Sequence, residues 1–166
     1  MSRIIEPQRV LLEEDPDIPN NPDLPVLVYP QVLGDDVADK ASAFERHFAE
    51  NGWGGTWRNG IFGYHHFHPD AHEALGIARG SVEVQLGGES GRRFQLKAGD
   101  LVVLPAGTGH KNLSASDDLL VVGAYPPGQE DYTICRSKAE VKSMPELPRP
   151  QSDPFYGREG PLVRAW

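Results

Sequence analysis

Residues 56–87 read TWRNGIFGYHHFHPDAHEALGIARGSVEVQLG, and residues 92–105 continue as RRFQLKAGDLVVLP. Val82, Val84 and Leu86 alternate with Glu83 and Gln85. That two-residue period is the pattern of a strand with one face in a core. Turn residues separate the apolar runs: Arg79-Gly80-Ser81, Gly87-Gly88-Glu89-Ser90-Gly91 and Ala98-Gly99-Asp100. Glycine supplies positive φ and aspartate a local hydrogen bond, so each cluster closes one strand and opens the next. The predicted strands lie at 56–68, 73–79, 81–87, 92–97, 100–105, 110–114 and 119–125. The gaps between them are too short to hold crossover helices, which excludes a parallel βαβ sheet and points to an antiparallel sandwich or barrel.

Before this block the period changes. Val37, Ala41, Phe44 and Phe48 form one apolar stripe at helical spacing. The spacing predicts an amphipathic helix over 36–50, capped by Asp35 or Asp36 and ended at Asn51-Gly52. VLVYPQV (26–32) is a further predicted strand with a break at Pro30. Residues 13–25, EEDPDIPNNPDLP, are extended and too rich in proline for a helix. Residues 145–161 form an irregular arm carrying Phe155 and Tyr156, ahead of the final Trp166. A core of about 55–125, an N-terminal extension over 1–54 and a C-terminal arm over 126–166 make one domain. The arms are expected to cover sheet edges, their own or a second copy's, so a homodimer is expected.

The 166 residues suffice for one sizeable core. The net charge is −8, with −7 of it in residues 1–50. That sign, and the lack of a basic stripe interleaved with aromatics, argue against nucleic acid. No apolar run is long enough to span a bilayer. The acidic N-terminus lacks the apolar core of a secretory leader, so a cytoplasmic location is expected. Cys135 is the single cysteine, which excludes an internal disulfide and any cysteine-clustered metal site. The glycines at 87, 88 and 91 have no helix behind them and make no phosphate cradle.

Five of the six histidines fall between positions 65 and 110. His66 and His68 leave the same face of a strand. Glu73 opens the next strand, and His110 follows the turn Pro105-Ala106-Gly107-Thr108-Gly109. Folded over itself, the sheet brings three imidazoles and a carboxylate to one point. That is a mixed nitrogen and oxygen set for a divalent metal such as Fe, Mn, Ni, Zn or Cu. An unpaired carboxylate buried there would cost several kcal/mol, so Glu73 is expected to bind the metal or to act as an acid or base.

The spacing resembles the two signature motifs of the cupin superfamily. Gly60 is followed after five residues by His66-x-His68, after four more by Glu73, and after six more by Gly80. In the second motif Gly99, Pro105, Gly107 and His110 match, while Ser114 stands where the pattern has Asn and Asn112 lies nearby. In its wider texture the chain is similar to the YjlB-like single-domain bacterial cupins. The resemblance implies an all-β, double-stranded β-helix (jelly-roll) barrel, with the predicted helix as an N-terminal addition and extended arms. It implies His66, His68, Glu73 and His110 as metal ligands.

By strand parity Phe62, Tyr64 and Arg58 are expected on the face of His66, with Leu75 and Ile77 on that of Glu73. Tyr64 and Arg58 are therefore the candidate catalytic residues, Tyr64 donating to a substrate and Arg58 attracting a carboxylate. His65 is expected to point away. His72 would replace Glu73 only if a bulge reversed the start of that strand. The expected ligand is a small polar organic molecule. On the family resemblance an oxygen-dependent reaction is favoured, with a non-redox isomerase, a ligand-sensing module and a metal-stabilised structural barrel as alternatives.

Overall fold

A computed structural model describes residues 3–166. In chain order the elements are β1 (Gln8–Val10), β2 (Val26–Tyr29), α1 (Lys40–Glu50), β3 (Gly54–Asn59), β4 (Glu73–Arg79), β5 (Ser81–Leu86), β6 (Arg92–Lys97), β7 (Leu101–Leu104), β8 (His110–Ala115), β9 (Leu120–Tyr125) and α2 (Pro161–Ala165). A 3₁₀ turn at Lys138–Glu140 precedes α2. All named strand pairs are antiparallel. They make one six-stranded sheet in the order β1-β2-β7-β4-β9-β3 and one of three strands in the order β6-β5-β8.

The two sheets enclose a core. Leu75 and Ile77 of β4, Val102 and Leu104 of β7, and Val121 of β9 meet Val82, Val84 and Leu86 of β5 and Leu96 of β6. The expected alternation on β5 holds, since Val82, Val84 and Leu86 are all buried. Among the described residues no ladder closes the sheets into a continuous barrel, so the jelly roll is two facing sheets.

The other face of the large sheet carries α1. Ala41, Phe44 and Phe48 lie against Leu27, Tyr29, Ala74, Ala78, Val103 and Val122, with Phe155 and Leu162 of the C-terminal arm beside them. Gly76 sits under Phe44, where an added Cβ would stand 2.6 Å from the ring. Glycine there lets the helix approach the sheet. Two features of the expected helix need correcting. It starts at Lys40, capped by the Asp39 side chain on the Ser42 N–H, so Val37 precedes it. It is also the third element of the fold, since β1 and β2 precede it.

A further difference decides the site. The expected strand over 56–68 is two pieces. β3 ends at Asn59, and the chain then crosses from the large sheet to the small one. The segment 62–68 lies along β8: Asn112 N–H donates to Phe62, and His66 and His110 exchange backbone hydrogen bonds. Its far side pairs Phe67 with Cys135.

Candidate metal centre

Glu73 and His110 are the first residues of β4 and β8, while His66 and His68 sit on the crossing segment. Two devices hold that arrangement. The His66–His110 bridge fixes the segment against β8. The turn before β8 has Gly107 at φ 90°, packed so closely that a Cβ would lie 2.8 Å from the Asn20 carbonyl. Gly107 N–H also donates to the His68 carbonyl.

His66, His68 and His110 are buried, and one ring nitrogen from each lies within 4.8 Å of the others. Each Nδ1 donates to a backbone carbonyl: His66 to Tyr64 at 3.0 Å, His68 to Thr133 at 2.8 Å, and His110 to Thr108 at 3.0 Å. A carbonyl can only accept, so Nδ1 carries a proton, and in its neutral form each ring has its lone pair on Nε2. Glu73 completes the group. Its Oε1 is 3.2 Å from His110 Nε2 and 3.4 Å from His68 Nε2. Neither approach has hydrogen-bond geometry, and Oε1 is buried without a partner.

The other oxygen is fully engaged. Tyr125 O–H donates to Glu73 Oε2 at 2.5 Å and accepts from the Trp57 indole N–H at 2.8 Å. Burial, reinforced by the Glu73 charge, pushes the Tyr125 hydroxyl far above its ordinary value, so it remains a donor. Burial pushes His66 down to about 3, and His110 beside it adds to the effect. His68 goes the other way: burial lowers it, but the Glu73 carboxylate outweighs burial. Burial works to raise Glu73, yet His68 and His110 hold it well below the usual carboxylate range.

Three free imidazole lone pairs and one unpartnered carboxylate oxygen facing one point suit a divalent transition metal. Nitrogen donors matched with one hard oxygen bind such ions well, and the carbonyl contacts behind the rings fix their tautomers. His66, His68, Glu73 and His110 are thus brought together. They open into a cavity of about 340 Å³ whose walls include Trp57, Ile61, Phe62, Leu75, Tyr125, Tyr132 and Ile134, with Asn59.

The two expected catalytic residues are placed elsewhere. Arg58 points to α1, ion-paired with Glu45 at 2.7 Å and bonded to Ser42. Trp57, one residue earlier, takes the inward place, because parity counted back from His66 does not pass through the break after Asn59. Tyr64 stacks on Phe62 and carries the Arg136 guanidinium 4.0 Å from its ring centre. It lines a separate cleft with His65, Glu89 and Lys111. His65 points away, to Glu89. His72 does not replace Glu73: its Nδ1 accepts from Ala106 N–H at 2.8 Å and its ring lies against Trp166. Sequence reading missed Tyr125, Tyr132 and Ile134. Tyr125 was open to detection as the last residue of a predicted strand, whereas Tyr132 and Ile134 sit in an arm with no periodicity.

A cupin-domain model matches residues 57–122, a span that contains all four converging side chains. Three solved structures align with the fold. Acireductone dioxygenase from Bacillus anthracis, with a cadmium ion in its active centre, is 16% identical, covering 63% of this chain and 79% of its own, at a TM-score of 0.43. A mutant of the Bacillus subtilis oxalate decarboxylase OxdC is 20% identical over 78% of this chain and 32% of its own, at 0.40. A Klebsiella pneumoniae protein with a double-stranded β-helix domain is 17% identical over 80% and 84%, at 0.37. Among the described residues no helix is long and apolar enough to cross a membrane. The Bacillus subtilis (strain 168) protein YjlB, described as uncharacterized, is 39% identical over 166 residues, 97% of either chain. With identity at that level from end to end, this chain belongs to the cupin family, among its single-domain bacterial members.

Proposed function

We propose that the protein holds one divalent transition metal between His66, His68, Glu73 and His110 and presents it to a small organic molecule entering the adjoining cavity. The observation that carries this reading is the buried, unpartnered Oε1 of Glu73 lying between imidazoles that keep their Nε2 lone pairs free. The metal would supply Lewis-acid polarisation of a bound oxygen and, if redox-active, electron exchange with dioxygen. The reaction class we propose is oxygen-dependent oxidation. Cupin membership and a three-nitrogen, one-oxygen donor set support it.

The chain's own residues have definite parts. The three backbone carbonyls hold the imidazole protons away from the cavity. Tyr125 fixes the Glu73 carboxylate, and Trp57 fixes Tyr125. Tyr132 packs on both Tyr125 and His68, which keeps water from their flanks. We also propose a homodimer, supported by the edges that β1 and β6 leave without a strand partner among the described residues. Light scattering at micromolar concentration is expected to give twice the chain mass.

Elemental analysis of protein purified without added metal, followed by oxygen uptake with a panel of oxygen-donor compounds, tests the function. Metal at one equivalent with compound-dependent uptake supports the oxidation. Turnover without uptake means an isomerase, and binding without turnover means a sensor.

A further inference from the structure

The walls of the cavity bear on what enters it. Beyond the four converging side chains, its lining is Trp57, Ile61, Phe62, Tyr125, Tyr132 and Ile134, with Leu75 and the amide of Asn59. The polar atoms of two of these walls are already engaged, since the Trp57 N–H donates to Tyr125 and the Tyr125 O–H donates to Glu73. Neither lysine nor arginine lines the cavity. Arg58 is tied to Glu45 on the far face of its strand, and Arg136 covers Tyr64 in the neighbouring cleft. The chain as a whole is anionic, at −8.

A carboxylate or phosphate enclosed in the cavity away from the metal would therefore lose its hydration without gaining a cation. A flat, uncharged body would instead meet aromatic faces on several sides. Phe62 and Ile134 stand half in solvent, 46% and 43% exposed, at the open end of this wall. A divalent metal that takes six ligands would have room for two more beside four protein donors, which would suit two adjacent oxygens on one molecule.

We infer that the ligand of this site is an uncharged planar compound carrying two adjacent oxygen donors, a catechol-like or enediol-like head on an apolar body, and not an anion with a distal carboxylate. This rests on the metal reading above. It narrows the small polar molecule expected from the sequence to one that is polar only at its head.

The test uses the whole protein loaded with Co(II) under nitrogen, whose visible bands report ligand binding directly. Titration with catechol is expected to shift the bands. 3,4-Dihydroxybenzoate, with the same head and an added carboxylate, is expected to bind at least about tenfold more weakly, because the added charge is desolvated without a partner. Ile134→Arg places a cation at the rim and is expected to narrow or reverse that ratio. Phe62→Ala is expected to weaken catechol by about two- to tenfold, the range of one aromatic contact, and leave oxalate unchanged. Dihydroxybenzoate binding as tightly as catechol to the parent protein would overturn the inference, as would bands that catechol leaves unmoved. Protein that develops no Co(II) bands before any ligand is added would sink the metal reading and the inference with it.

Discussion

The two oxygens of Glu73 have opposite circumstances. Oε2 is held by Tyr125, whereas Oε1 has two imidazole nitrogens within 3.4 Å and no hydrogen bond. If Oε1 is a ligand, Glu73→Gln is expected to lower metal affinity by more than about a hundredfold, beyond the ten- to hundredfold typical of residues that only orient a ligand. Competition against a chromophoric chelator measures it, and unchanged occupancy would remove Glu73 from the ligand set. His72 is a buried histidine that stands outside the converging group. Its Nδ1 already accepts from Ala106, and burial pushes it down from 6.5 to about 4. Between those values the unfolded chain binds a proton that the folded chain does not, so folding stability is lost as pH falls from 6.5 towards 4. The loss amounts to ~3 kcal/mol at its full extent. His72→Asn retains an acceptor for Ala106 and is expected to flatten this part of a denaturation profile. A profile as steep as the parent's would contradict the assignment.

At the level of elements, β4 joins the two halves of the molecule. Glu73, Leu75 and Ile77 face the site and the core between the sheets, while Ala74, Gly76 and Ala78 lie under α1. Gly76→Ala forces a methyl against the Phe44 ring and is expected to cost about 1–3 kcal/mol in chemical denaturation. In a Phe44→Leu background the cost is expected to shrink, and full additivity would show that the contact is not the cause. The strands from β4 to β9 were legible in the sequence because their alternation and glycine turns are local. So was the grouping of His66, His68, Glu73 and His110, which the spacing of the two motifs carried. The inward face of β3 was misread. Arg58 was given the place that Trp57 holds, because parity carries along one strand only and the chain changes sheets after Asn59. The start of α1 was misplaced because Asp35, Asp36 and Asp39 are all residues of a capping type, and it is Asp39 that caps the helix. Tyr132 and Ile134 reach the cavity through pairing of their segment with Phe67, a long-range contact without local pattern.

Across the whole molecule the C-terminal arm is part of the fold. Phe155 and Leu162 are buried beside α1, and the Trp166 indole N–H donates to the Pro25 carbonyl. The arm is pinned by one wholly buried carboxylate. Asp153 accepts from the Tyr29 hydroxyl at 2.5 Å and from the backbone N–H groups of Phe155, Tyr156 and Leu162. Asp153→Ala leaves these four donors without a partner and is expected to cost about 3 kcal/mol or more. Faster tryptic cleavage after Arg158 is expected to accompany the loss, and unchanged cleavage would show the arm is held by its aromatics alone. The arm also carries the Thr133 carbonyl that orients His68, so the C-terminal segment bears on the buried site. The most direct test of that site is an anomalous difference map from crystals of protein loaded with one divalent metal. A single strong peak is expected within bonding distance of His66, His68 and His110 Nε2 and of Glu73 Oε1. A peak elsewhere, no peak at all, or any of the three imidazoles turned to solvent would contradict the account.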